Sequence, residues 1–384
     1  MYSLGKIIIG LLFFSFFLIL GYLIKNDLFY AIWHTVFILS FYGQVIFYQY
    51  SDGTIHPLLA NAILLAILFG FSLLKLPVKI RELKIKNPSK ILLIISLFLL
   101  VPVILKYYSY VNIKTLLFQD IYETRLFFRT FDDKYFGYLR VPLSRVVLPT
   151  IMILSIKSKK FFYAVLAIAM ILFIYTIGGL KSVFVGMLAS LLFMNGKDFI
   201  SKVFIVLYLF LFLNFFGLLV FTFDNTNTML IDAFVRRTLF IPPLIDNIYY
   251  SFFEETPLLW SHNIIGNLFF EYPLDRPLNM FVGEVLMNKE GMSANVGLIT
   301  EGYVSFGYFG VFLHSLFIGL FFLLLKSFRI ESIFFGHIFV FIYYINTSFF
   351  TILMVTHGGL FFLVFAYFFL NKLHVKKRIT TYIK

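Results

Sequence analysis

The chain has 384 residues, of which 61% are hydrophobic and only 13% charged, with a formal net charge of +13. Soluble domains run at roughly 45–50% apolar and ~25% charged. Too little polar surface exists here to cover a water-soluble globule, so soluble enzyme, disordered chain and nucleic-acid binder are excluded. There is no cysteine, hence no disulfide framework, thiolate zinc site or cysteine nucleophile.

Apolar blocks such as Ile7–Ile24, Phe161–Ile177 and Val203–Phe223 are each long enough to cross a hydrocarbon core ~30 Å thick at ~1.5 Å per residue. The expected fold is an all-α polytopic membrane protein forming a single integral membrane domain over residues 1–384. About eleven transmembrane helices (ten to twelve) are expected, near 6–24, 28–50, 57–74, 90–107, 141–156, 161–177, 183–195, 203–222, 304–325, 332–352 and 356–371. The first block follows Lys6 as a signal peptide would. It is too long for one, however, and no small-residue cleavage site precedes Lys25, so it reads as the first span.

Lysine is dense in the connections Leu76–Ser89, Lys157–Lys160, Gly196–Lys202 and Lys326–Glu331, and after Asn371. Placing these on one face, taken as cytoplasmic by the positive-inside rule, satisfies an alternating path with the N-terminus outside and the C-terminus inside. Two long outer segments result, 108–140 and a large one over 223–303. On this topology 16 of 22 lysines lie inside, whereas 7 of 10 arginines lie outside: Arg125, Arg129, Arg140, Arg145, Arg236, Arg237 and Arg276. Arginine offers a planar fork of donors matched to phosphate and carboxylate oxygens. The outer arginines therefore point to an anion site at the membrane boundary, with pairing to outer carboxylates or lipid phosphates as the alternative.

In the first outer segment, a helix would set Arg125 and Arg129 on one face, and Pro142 is expected to break any helix continuing past Arg140. Asp132 and Asp133 fix no third oxygen ligand, so no metal site is read there. In the second, Ile231–Phe240 reads as an amphipathic interfacial helix. Pro242-Pro243 is expected to stop it before a second short helix, Leu244–Phe253, carrying Asp246. The segment has the character of a lid lying on the membrane, with Trp260 and its tyrosines at headgroup level. Glycines 297, 302, 307 and 310 allow close backbone approach at the mouth of a span, with packing the simpler reading of Gly307 and Gly310. Glu301, at the edge of a helix entering the bilayer, is costly without a partner or a role. His34, His314 and His337 show no metal-ligand spacing. His262 and His357 lie toward the outer side and could act as bases. Lys181, after Gly178-Gly179, is a cation placed outside against the lysine trend.

The order of these features resembles the O-antigen polymerase family, the Wzy-type oligosaccharide repeat-unit polymerases of bacterial inner membranes. The resemblance spans roughly residues 108–325. It rests on Ile121-Tyr122-Glu123-Thr124-Arg125; on Val235-Arg236-Arg237-Thr238-Leu239-Phe240-Ile241-Pro242-Pro243 leading to Tyr249-Tyr250; on Trp260-Ser261 and the stretch to Pro277; and on Asn295-Val296-Gly297 through Glu301-Gly302-Tyr303 to Gly310. Where relatives carry an arginine after the sixth span, this chain has Lys181. The resemblance implies a GT-C-like inner-membrane glycosyltransferase with a periplasmic N-terminus and no cofactor or metal. Such an enzyme transfers the growing glycan from undecaprenyl diphosphate to an incoming undecaprenyl-diphosphate-linked oligosaccharide. Its partners are membrane lipids and a chain-length regulator protein, with no nucleic acid. On that reading Arg125, Arg236 and Arg237 would hold the diphosphate, supported by Arg140, Arg145 and Lys181. Glu301 would be the first candidate base, followed by His262 and Asp246. The competing readings are an O-antigen ligase that joins the glycan to lipid A core, and a flippase for the same lipid-linked units.

Overall fold

A computed structural model describes residues 3–78, 87–131, 133–196, 198–226 and 228–371 of the chain. Asp132, Lys197, most of the lysine-rich 76–89 connection and the basic tail after Asn371 lie outside the described residues. Within them the protein is all-helical, without a β-strand.

Eight helices are long and apolar enough to cross a membrane: α1 Leu4–Tyr22, α2 Asp27–Tyr50, α3 His56–Leu73, α4 Pro88–Tyr110, α6 Tyr135–Lys157, α7 Phe161–Gly178, α9 Phe199–Phe223 and α12 Leu298–Ser327. Between them stand α5 Ile121–Phe131, α8 Lys181–Phe193, α10 Ile231–Phe240 and α11 Ile241–Phe252. After α12 come α13 Ser332–Ile345 and α14 Gly359–Leu370, which like α8 are apolar helices shorter than a full span. The expected spans near 183–195, 332–352 and 356–371 correspond to these three.

Local sequence explains the boundaries. The side chain of Asn26 caps α2 by accepting from the Phe29 amide at 3.1 Å, and Asp198 caps α9 by accepting from Ser201 at 2.8 Å. Proline occupies the first turn of α3, α4 and α11, where its missing N–H costs nothing. The left-handed Gly179 (φ +57°) closes α7. Two proline expectations are corrected. The helix does not break after Arg140, because α6 runs through Pro142 by opening into a wide π turn over Leu143–Val147. Pro242 and Pro243 do not simply end α10; they form the first turn of α11, which follows directly.

The chain groups into two compact units. The first comprises Met1–Leu76, Asp198–Leu324 and Ile342–Thr351. In it α1 packs on α2 through Gly21, where any side chain would strike Trp33, and the Trp33 indole donates to the Leu65 carbonyl at 3.0 Å. The long segment between α9 and α12 has a core of its own: Ile245, Tyr249, Phe253, Leu258, Leu278, Val282, Ala294 and Val296 close on Val304. At ~1.5–3 kcal/mol per buried large apolar side chain, this cluster holds the segment onto the start of α12. The Tyr249 hydroxyl adds a bond to the Ala294 carbonyl at 2.8 Å. The second unit comprises Pro77–Lys197, Leu325–Phe341 and Ile352–Lys384. There α6 and α7 pack as a hairpin, and His337 bonds Thr150 at 3.0 Å. Many aromatic and aliphatic side chains on the spans face outward, Phe98, Phe212, Phe215 and Leu105 among them. Such a surface suits lipid and not water.

Candidate active site

The first unit builds its polar centre on a break in α12. Gly307 takes φ +61° and ψ −147°, a conformation open to glycine alone, and Phe306 beside it leaves the helical region. The chain turns sharply enough that Gly302 and Gly310 meet backbone to backbone; a Cβ on Gly302 would lie 2.6 Å from the Gly310 carbonyl oxygen. Gly310 is thus a packing glycine as expected, while Gly307 is a turn. The break frees two carbonyls of the first helical piece. The Leu258 amide donates to Val304 at 2.9 Å and the Leu259 amide to Ser305 at 3.0 Å. Residues 258–263 are thereby stitched across the broken helix, which carries Trp260, His262 and Asn263 to Glu301.

Glu301 is fully buried. One carboxylate oxygen accepts from Asn263 Nδ2 at 2.8 Å and faces His262 Nε2 at 3.0 Å. The other accepts from the backbone N–H of Phe350. Asn263 does not turn its amide around, because that would set its Oδ1 against the carboxylate; as placed, its Oδ1 takes the Thr351 hydroxyl at 2.8 Å. Three converging N–H groups stabilise a charge whose burial would otherwise cost several kcal/mol. With Nε2–H donating to Glu301, the lone pair of His262 sits on Nδ1, a buried atom without a hydrogen-bond partner. Phe349 stands edge-on to the imidazole at 5.4 Å, and Trp260 packs on Phe350 and His314. His314 bonds the Leu298 carbonyl through Nδ1 at 2.7 Å, while its Nε2, the Trp260 indole N–H and the Ser261 hydroxyl are buried and unpartnered. A carboxylate that orients an imidazole, with the free imidazole nitrogen left as proton acceptor, is the arrangement of a general base.

Asp246 lies on α11, one residue along from this centre through Thr300. Its two oxygens accept from Gln44 Nε2 and from the Thr300 hydroxyl, each at 2.7 Å. Burial pushes its pKa up to about 6 against the pull of those two bonds.

The cations divide between the units. In the second unit the segments that bear four of the expected diphosphate ligands meet the Gly178–Ser182 turn, directly or through Phe128. Gly178 packs on Phe128, whose ring carries the Arg140 guanidinium at 4.4 Å. Gly179 fits against the Ile121 carbonyl and the Arg125 backbone, where a Cβ would meet the carbonyl oxygen at 2.9 Å. Lys181 lies over the Tyr122 ring at 5.0 Å, and Arg145 Nη2 reaches Ser182 Oγ at 3.5 Å. Arg140 is only 3% exposed. In the first unit Arg236 and Arg237 are exposed on α10, and Arg236 holds Asp232 at 3.0 Å one turn back. Arg276, in the same unit, is committed to Asp275 at 2.7 Å and Glu284 at 3.0 Å. Among the described residues no group of three or more His, Asp or Glu is arranged to hold a metal ion.

Sequence reasoning did not single out Asn263, Thr351, the Phe350 amide, Gln44 or Thr300. These are neutral groups whose role is visible only once Glu301 and Asp246 are placed. Comparison with models of known protein families, with curated proteins and with solved structures finds no match.

Proposed function

We propose that the chain is a multi-pass inner-membrane glycosyltransferase that polymerises lipid-linked glycan repeat units, with α8, α13 and α14 completing eleven spans. The observation that carries the reading is that the segments bearing Arg125, Arg140, Arg145 and Lys181 meet at one turn, with Arg140 buried. A diphosphate leaving group presents oxygens that match these donors.

In the proposed reaction the hydroxyl of the incoming repeat unit attacks C1 of the growing glycan. The C1–O bond to the undecaprenyl diphosphate breaks, and its electron pair stays on the diphosphate. The hydroxyl proton passes to a base at the outer face of the membrane. Guanidinium groups fixed in advance stabilise the growing charge on the leaving group more than the ground state, which is the source of acceleration. Asp246 has no step in this scheme.

The test replaces Arg145 and, separately, Arg140 by lysine in a strain deleted for the gene, and reads polymer length on a gel. Lysine keeps the charge and loses the fork, so polymer yield should fall by roughly 10²-fold, the usual loss for one pre-positioned donor. Parental polymer from both variants would sink the diphosphate role.

A further inference from the structure

The cavity beside Asp246 lies within the first unit and takes no part in the glycosyl transfer proposed above. It has a volume of about 30 Å³, enough for a water-sized guest. Its polar lining is Ser40, Asn61, Thr238, Thr300 and Asn346 around the Asp246 carboxylate, with Gln44 completing the wall. The backbone is adapted to it on two sides. Ser40 sits on a π turn over Phe37–Phe41, a distortion that recurs at functional sites. Gly297 lines another side, leaving main chain where a side chain would intrude.

The charge accounting points to the guest. Asp246 is held by two neutral donors, Gln44 and Thr300, and no lysine, arginine or histidine among the described residues forms an ion pair with it. Neutral donors satisfy its oxygens without compensating its charge, and a half-buried uncompensated carboxylate is still costly. The rest of the wall offers hydroxyl and amide oxygens, which are hard ligands. A cavity of this size has no room for the several waters that Mg²⁺ keeps, and one carboxylate falls short of the ligand set of Ca²⁺; without imidazole or thiolate the set does not select a transition metal.

We infer that the cavity binds an alkali-metal cation, sodium or potassium, held by Asp246 and the surrounding hydroxyl and amide oxygens. Gln44, Asp246 and Thr300 belong to α2, α11 and α12, so a bound cation pins the first turn of α12 to two other helices. Because Thr300 adjoins Glu301, the ion also steadies the backbone that presents the His262–Glu301 pair. The site stands on its own geometry and does not depend on the glycosyl-transfer reading.

The experiment is thermal unfolding of the purified full chain in detergent at pH 7.5, in sodium, potassium or choline chloride at equal ionic strength. The choline ion is too large for the cavity. A cation present at ten times its Kd raises the midpoint by about 2 °C; sodium or potassium, or both, should do this relative to choline, and their difference identifies the preferred ion. Asp246→Asn should abolish the difference. Equal midpoints in all three salts for the parent chain would overturn the inference with no variant required. An undiminished salt-specific shift in Asp246→Asn would overturn it as well. If that variant does not fold, Asn346→Ala on the facing wall serves in its place, with the shift expected to shrink.

Discussion

Replacing Glu301 by glutamine changes almost nothing in volume and one thing in hydrogen bonding. The carboxylate faces only donors: His262 Nε2, Asn263 Nδ2 and the Phe350 amide. Glutamine brings one acceptor and one NH2. With its oxygen toward Asn263, the NH2 meets the Phe350 N–H; turned around, it meets the Asn263 NH2 and the His262 N–H, and is satisfied only if Asn263 flips and His262 takes its other tautomer. With Asn263 and His262 kept in their parent arrangement a buried donor loses its acceptor, at about 1–3 kcal/mol. Relief of carboxylate burial acts in the opposite direction on global stability, so a melting temperature is a poor readout. Local hydrogen exchange is a good one. A local loss of about 2 kcal/mol speeds exchange by roughly thirtyfold, at 1.36 kcal/mol per factor of ten. Peptides covering 258–263 and 349–351 should show this, while those from α7 should not. Exchange within twofold of the parent in both segments would refute the hydrogen-bond reasoning.

Three further outcomes follow from the same geometry. Gly310→Ala drives a Cβ into the Gly302 carbonyl, a backbone contact that cannot yield cheaply; overpacking of this kind costs about 1–3 kcal/mol or more, and the variant should lose folded yield, whereas Gly137→Ala, with open space around it, should not. Asp246 has its pKa raised from 3.8 to about 6, so between those values the folded chain binds more protons than the unfolded one. Its contribution to stability therefore falls as pH rises from about 4 to about 6 and is level above that; Tyr249 and Tyr250, the ionisable groups beside it, titrate far higher. In choline buffer Asp246→Asn should flatten this decline, and an unchanged slope would count against the assignment. Arg236→Gln breaks only an exposed ion pair with Asp232, worth about 0–1 kcal/mol, so its melting midpoint should match the parent.

The span pattern was legible because a bilayer leaves few options: long apolar runs such as 203–222 must be helices, and α9 spans Phe199–Phe223. Glu301 was legible for the same reason, since a carboxylate at a membrane edge needs partners. Its actual partners were not, because Asn263 and the Phe350 amide lie 38 and 49 positions away, and no periodicity announces the break at Gly307 on which residues 258–263 are stitched. Both prolines were misread in one way. Pro142 and Pro242 were taken as stops, yet a π turn absorbs the first and a helix start accepts the second. The gathering of cations was half legible. Arg125, Arg140, Arg145 and Lys181 stood out individually, but only the fold shows their segments meeting at the Gly178–Ser182 turn.

The most direct test of the polymerase proposal is a gel of surface glycan from a strain deleted for the gene, before and after complementation. Loss of the polymer ladder with a single-repeat band retained, and the ladder restored on complementation, is the predicted result. Loss of every glycan-bearing band, the single-repeat one included, would contradict it and assign the chain to ligation or flipping of the lipid-linked unit.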